Sequence, residues 1–285
     1  MVARVDSVLR EELGLADGLA DRNVYVLDPC CGTGSFLVEV LRKIHETLKA
    51  RGDDALVASD LKEAAINRIF GFEILPAPFV VSHLQIGLLL DKLGAPLPEM
   101  GTERAGVYLT NALTGWEPPK GAKKQLTFKE FGEERDAAER VKRDTPILVV
   151  LGNPPYNAFA GVSTTREEID LIAPYKEGLV RECDIKKFNL DDLYIRFFRL
   201  AEHRIAEMTG RGVVSFISNH SWISDPSFVV LREHLLRSFN RFWIENMHGN
   251  RKTSEYAPDG KVSETIFAIP GFSVGIQQGV AIRYG

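Results

Sequence analysis

Short apolar runs alternate with amphipathic stretches along most of this chain. Near the start, Val5, Val8, Leu9 and Leu13 have helical spacing, and the Gly- and Asp-bearing segment to about Asn23 reads as a turn. The run Val24-Tyr25-Val26-Leu27 predicts a strand ending at Asp28, and residues 35–49 predict the helix that follows it. A helix over 61–68, a second strand over 69–73, a long helix over 77–93 behind Pro76 and Pro78, and a third strand over 107–110 ending at Asn111 come next. Residues 147–151 (Ile-Leu-Val-Val-Leu) form the most strand-like run, and it stops at Gly152-Asn153-Pro154-Pro155-Tyr156, where proline forbids its continuation. Beyond a polar stretch the pattern predicts a helix over 190–208, a strand over 212–217, a helix over 226–238, and strands over 241–246 and 265–269. Strands alternating with helices imply an α/β fold with a mostly parallel sheet covered on both faces.

One segment breaks this rhythm. Residues 115–145 hold a Pro-Pro-Lys-Gly turn and then a mixed-sign run over 129–143, expected to be a solvated helix and loop inserted before the next strand. No repeat or low-complexity tract is visible.

The totals narrow the choices further. A chain of 285 residues, 45% hydrophobic, can bury a full core. Its formal net charge of -4 counts mildly against this segment gripping DNA unaided, since stand-alone DNA binders usually carry a cationic excess. Two of its three cysteines are the adjacent Cys30 and Cys31, which offer neither zinc-ligand spacing nor a disulfide framework, so no metal is expected. No signal-peptide pattern and no apolar run of membrane-spanning length occur, so a cytoplasmic protein without a membrane partner is expected.

Two loops carry the candidate chemistry, each just after a predicted strand, where open α/β sheets bind their ligands. The first is Asp28-Pro29-Cys30-Cys31-Gly32-Thr33-Gly34-Ser35. Its glycines allow a sharp turn and close approach to a ligand, leaving amides at the helix start for an anionic group. Leu37 stands where a dinucleotide fingerprint wants a third glycine, and no Gly-Lys-Ser/Thr ending follows, so neither a dinucleotide loop nor a P-loop is indicated. A plain strand-to-helix turn remains open on the glycines alone.

The second loop, Asn153-Pro154-Pro155-Tyr156, answers a particular chemical problem. An exocyclic amine on adenine is a poor nucleophile because its lone pair is delocalised into the ring. Acceptors aimed at the amino hydrogens, the Asn153 side-chain oxygen and the Pro154 main-chain oxygen, would localise that pair. Successive prolines hold the acceptors where charge develops, and the Tyr156 ring offers a surface for a flipped base. The same loop suits any conjugated amine, including an RNA base or a glutamine side chain, and a non-catalytic scaffold is the reading from a different class.

Taken together the two loops resemble motifs I and IV of the adenine-N6 DNA methyltransferases, and their order resembles the gamma class. Segments 71–90, 108–116, 246–252 and 275–282 are further similar to the methylase region of type ISP restriction-modification enzymes. The resemblance implies a single Rossmann-like class I domain over 1–285, with a seven-stranded sheet and a reversed final hairpin, and S-adenosylmethionine as cofactor. It implies that Asp28, Cys30, Gly32 and Gly34 hold the cofactor, that Glu73 binds its ribose hydroxyls, that Ile74 lies on its adenine and that Asn111 contacts the adenine amino group. The implied partner is double-stranded DNA with a flipped adenine. Target-recognition, helicase-like translocase and nuclease parts are not found in the chain, and are expected on flanking segments or separate subunits. Residues 1–23, an N-terminal helix and turn, contain no proline, a departure from the Thr-Pro segment that precedes the first strand in the family.

Three other features read as ordinary structure and a fourth stays open. His83 lies in an apolar helix and is expected to be a satisfied core histidine; Phe267 is expected in a core strand and Lys186-Lys187 in solvent. Arg251-Lys252, in a polar loop after His248-Gly249-Asn250, fits a phosphate contact and a solvated loop equally.

Overall fold

The structure, a computed structural model, describes residues 1–52, 54–98, 103–118, 129–156, 163, 165–179, 181, 183, 185, 190–247 and 280–284. The expected strand over 265–269, Phe267, Lys186, Lys187, His248, Gly249, Asn250, Arg251 and Lys252 lie outside the described residues. The chain divides into two compact units, Met1–Gly152 with Glu207–Val213, and Asn153–Ala206 with Val214–Gly285.

The first unit is a parallel sheet of order β3-β2-β1-β4, made of β1 (Val26–Asp28), β2 (Ile69–Glu73), β3 (Val107–Leu109) and β4 (Val149–Gly152). Asp28 sits opposite Gly71, and Glu73 opposite Leu109, so the polar ends of three neighbouring strands share one sheet edge. Strands β1, β2 and β4 are buried along their whole length, which is why they read as continuous apolar runs. Arg68, almost fully buried, pairs with Glu63 at 3.0 Å and donates to the carbonyls of Asp21 and Val24, fixing the chain as it enters β1.

Helix α1 (Val2–Glu11) buries Val5, Val8 and Leu9, and its buried Asp6 accepts from Leu19 N at 2.8 Å, fastening the 3-10 turn Gly18–Ala20. Helix α2 (Ser35–Ala50) buries Leu37, Val40, Leu41, Ile44 and Leu48, one face of a 3.6-residue period. Each such aliphatic side chain contributes about 1.5–3 kcal/mol by leaving water. α2 packs on α1, on α3 (Asp54–Asn67) and on α4 (Pro76–Lys92), which also lies against β3. The outer face of α4 leaves Val80, Val81, Leu84 and Leu88 exposed. Residues Glu207–Val213 complete this unit: Thr209 Oγ1 donates to Ile147 O and Val213 N to Leu148 O, both at 2.8 Å.

In the second unit β5 (Val213–Asn219, its first residue belonging to the first unit) pairs antiparallel with β7 (Val280–Tyr284), which pairs antiparallel with β6 (Trp243–Asn246). Helices α6 (Arg166–Lys176) and α7 (Leu193–Glu202) pack together, and α9 (Val229–Ser238) lies on α6. Their junction is polar. Buried Glu202 accepts from Tyr175 Oη at 2.7 Å, Ser238 Oγ at 2.6 Å and Arg199 at 3.3 Å, while Arg196 pairs with Glu168 at 2.9 Å. An aromatic core of Tyr194, Phe198, Phe216 and Trp222 fills the unit, with ring centroids 5.3–6.1 Å apart.

Several sequence expectations shift. β1 begins at Val26, two residues late, and Tyr25 O just before it accepts from Leu148 N and Val149 N. α3 starts at Asp54, seven residues before the expected helix. The helix expected over 190–208 is α-helical only to Glu202 and continues as a π-helix over His203–Thr209. Helix α6, with Pro174 inside it, and the short α8 (Ser221–Ser224) have no counterpart in the sequence pattern. Nor is the 115–145 insertion merely solvated: α5 (Lys129–Asp144) packs on β3 and buries Ala138, Val141 and Lys142.

Candidate functional site

The sheet edge at β1, β2 and β3 gathers most of the expected cofactor residues. Asp28 ends β1 with no exposed surface; its Oδ1 accepts from Cys30 N at 3.1 Å, and its Oδ2 has no hydrogen-bond partner among the described residues. Burial, reinforced by the nearby Glu73 carboxylate, pushes its pKa up to about 7 against the opposing bonds from Cys30. The same burial pushes both the Cys30 and Cys31 thiols up, so neither is a nucleophile at neutral pH.

The loop after Asp28 is held mainly by β2. Cys31 N donates to Phe72 O at 3.0 Å and Gly34 N to Cys31 O at 2.8 Å, while Gly32 N donates to Glu73 Oε2 at 2.9 Å. The N–H groups of Cys30, Cys31, Gly32 and Gly34 are thus taken, and the helix start itself lies beyond them at Ser35. What the loop offers is space. Gly32 and Gly34 have φ of +55° and +84°, and nothing lies within 4 Å of where a Gly32 Cβ would stand, whereas one on Gly34 would meet Ser82 Cβ of α4 at 3.0 Å.

Glu73 is a clasp as well as a candidate ligand. Only 9% exposed, it accepts from Gly32 N through Oε2 and from Ile74 N and Leu75 N through Oε1, at 2.8–2.9 Å. Both lone-pair directions of Oε1 are taken, and Oε2 keeps one for a further donor. Ile74 beside it is 62% exposed.

At the end of β3, Asn111 Oδ1 accepts from Leu113 N at 2.9 Å. A backbone N–H can only donate, so this bond assigns the amide oxygen and nitrogen. Lys142 of α5, missed because a mixed-charge run is usually a solvated face, reaches the same turn. Its Nζ donates to Thr110 Oγ1, Asn111 O and Thr114 O at 2.7–2.9 Å. Trp116 Nε1 donates to Ala112 O at 2.6 Å from the other side.

The loop Asn153–Tyr156 opens the second unit, directly after β4 in the chain. Asn153, Pro155 and Tyr156 are exposed and Pro154 is buried. Tyr156 Oη donates to Asn153 Oδ1 at 3.3 Å, and the Tyr156 ring meets the buried Tyr194 edge-on with centroids 6.0 Å apart, leaving 40% of Tyr156 in solvent. Tyr194, from α7, is a support for the loop that the sequence reading did not single out. His83 is half-buried and donates through Nε2 to Val107 O at 3.2 Å; burial, then the Arg104 charge, hold its pKa below the ordinary value. It is a satisfied helix histidine.

Among the described residues no helix is long and apolar enough to cross a membrane. No family model matches the sequence, and no curated protein matches it. Solved structures do. The chain is 26% identical to the ATP-dependent Type ISP restriction-modification enzyme LlaBIII, in a structure bound to DNA, with a TM-score of 0.75 over 99% of this chain and 18% of that one. It is 24% identical to a nuclease-deletion mutant of the Type ISP enzyme LlaGI with a DNA substrate mimic (TM-score 0.75, covering 98% of this chain and 22% of that one). It is 23% identical to the DrdV–DNA complex (TM-score 0.73, covering 99% and 25%). The chain thus spans a quarter or less of the length of each of these proteins.

Proposed function

We propose that this chain, a methyltransferase-like domain related to the methylase regions of restriction-modification enzymes, transfers a methyl group from S-adenosylmethionine to adenine N6 in DNA. In this reading it is a gamma-class, Asn-Pro-Pro-Tyr enzyme of the Rossmann-like class I type, its two units working as one domain and supplying the seven strands of that fold. The observation that carries it is the Asn153–Tyr156 loop: directly after a buried parallel strand, it exposes an amide oxygen and an aromatic ring on a proline-stiffened backbone.

The strand-edge residues suit the cofactor. Asp28 Oδ2, buried and unpartnered among the described residues, matches a methionine α-ammonium, and the remaining lone pair of Glu73 Oε2 matches a ribose hydroxyl. The exposed Ile74 side chain matches a face of adenine and Asn111 its polar edge, while Cys30, Gly32 and Gly34 shape the loop. When bound, S-adenosylmethionine supplies an electrophilic methyl on a sulfonium, a good leaving group.

The chain's own residues then address the weak nucleophile. Asn153 Oδ1 and Pro154 O accept the two amino hydrogens of adenine, favouring a lone pair directed out of conjugation. Pro154 and Pro155 hold these acceptors in place, and Tyr156 stacks on the extruded base. Double-stranded DNA is the partner in this reading, and the net charge of -4 supports placing most of the DNA grip in recognition and translocase or nuclease regions outside these residues. Its place is the cytoplasm.

The test is transfer of tritiated methyl from S-adenosylmethionine to DNA, RNA and protein in parallel. Label in DNA, recovered as N6-methyladenine, supports the reading; label in RNA or protein alone moves the acceptor, and no transfer with intact cofactor binding makes the chain a binding module.

A further inference from the structure

The turn after β3 is tied from below by a cation. Lys142 is 1% exposed, and its ammonium meets three oxygens of this turn: the Thr110 hydroxyl and the carbonyls of Asn111 and Thr114. An ammonium has three donors, so the three acceptors match them one for one. The same Nζ stands 5.1 Å from the centroid of Phe72, the residue before Glu73 in β2. Burying a lysine is costly, and an apolar side chain of like volume would fill the space between α5 and β3 more cheaply. What the lysine adds is position. Asn111 is held at its carbonyl by Lys142 and at its Oδ1 by Leu113 N, so backbone and side chain of this residue are both fixed.

We propose that Lys142 is the positioning residue for recognition of the cofactor's base. It holds Asn111 so that its amide edge reads adenine and rejects a purine lacking the 6-amino group. This rests on the cofactor reading above and adds to it the residue that sets base specificity, supplied by a helix outside both sequence motifs. Lys142 touches no ligand itself; it acts through Asn111.

The experiment measures affinity of the purified 285-residue chain for S-adenosylhomocysteine and S-inosylhomocysteine by calorimetry. The two differ at the purine 6-position and N1 only. The wild type is expected to prefer the adenosyl form by roughly tenfold or more, because a polar site rejects a ligand that leaves its groups mispaired. Lys142→Met, which keeps the bulk and removes the donors, should bring that ratio to within about threefold while circular dichroism shows a folded chain. A general loosening of the fold would weaken both ligands alike and leave the ratio where it was. Thr110→Val, which removes one acceptor and keeps the lysine, should lower the ratio by a smaller factor and carries the test if Lys142→Met fails to fold.

An unchanged ratio in the folded variant overturns the proposal even if both affinities fall. A wild type that binds both ligands equally overturns it too, while leaving cofactor binding intact. A wild type that binds neither overturns the cofactor reading itself.

Discussion

Replacing Asp28 by asparagine keeps the shape of the β1 end and removes its charge, which makes it a clean probe of the buried carboxyl. The group is fully buried, with its pKa lifted from an ordinary 3.8 to about 7. Its folded-state value lies above its unfolded one, so the protonated form is the one that folding favours. Below about pH 4 both states hold the proton and Asp28 imposes no charge penalty; between about pH 4 and 7 the unfolded chain ionises first and stability drains away as pH rises. Above pH 7 the loss is complete at about 4 kcal/mol, and roughly a third of it is present by pH 5. The substituted amide would keep the bond from Cys30 N through its oxygen, but its buried NH₂ costs about 1–3 kcal/mol at every pH. The pH-dependent part is therefore the informative one. Urea denaturation of wild type and Asp28→Asn, followed at the β1 and β2 amides by hydrogen exchange, should show the variant gaining on the wild type by about 3 kcal/mol between pH 5 and 8.5. A stability difference that is flat with pH, or that moves the other way, would refute a buried carboxyl with a raised pKa. If Asp28 also receives the cofactor's ammonium, wild-type affinity for S-adenosylmethionine should weaken as pH drops below about 7, a dependence absent from the variant.

Three further outcomes follow from the same geometry. Asn153→Ala should lose about 100-fold or more in methyl transfer to DNA while calorimetry shows its S-adenosylmethionine affinity nearly unchanged; normal methylation by this variant would remove Asn153 from the mechanism. Gly34→Ala, forcing a side chain to φ of +84° and a Cβ to 3.0 Å from Ser82, should lower stability by about 1–3 kcal/mol, seen as a drop in Tm. Glu73→Gln turns one acceptor into a donor facing loop amides, so it should cost about 1–3 kcal/mol of stability and weaken cofactor affinity, both read from one thermal-shift series with and without ligand.

The parts of the fold that could be read from sequence are those where burial and residue type agree. β2 and β4 are apolar runs because both faces are covered, and α2 shows its period because leucine, valine and isoleucine fill its inner face. α3 hid its first two turns because Val57 is the one buried residue described there, too little to show a period. α6 hid because one of its inner positions is Glu168, legible only once Arg196 is seen opposite it, and because Pro174 reads as a breaker. The strand-end loops were found from their glycines, prolines and acids, yet their hydrogen bonding was not. No local pattern says that Gly32 N is spent on Glu73, forty-one positions away, or that Lys142 folds under Asn111.

The first unit is discontinuous in the chain: it pauses at Gly152 and resumes with Glu207–Val213. On the ribosome this imposes an order of events. β4 emerges with one edge paired to β1, while Ile147 O and Leu148 O wait for Thr209 and Val213, about sixty residues later. At roughly 5–20 residues per second, that leaves the edge without these partners for about 3–12 s in every molecule made. A bare edge of valine and leucine is a ready template for a neighbouring nascent chain. Slow codons over the intervening stretch should then lower the soluble yield, and a chain truncated after Gly152 should suffer most.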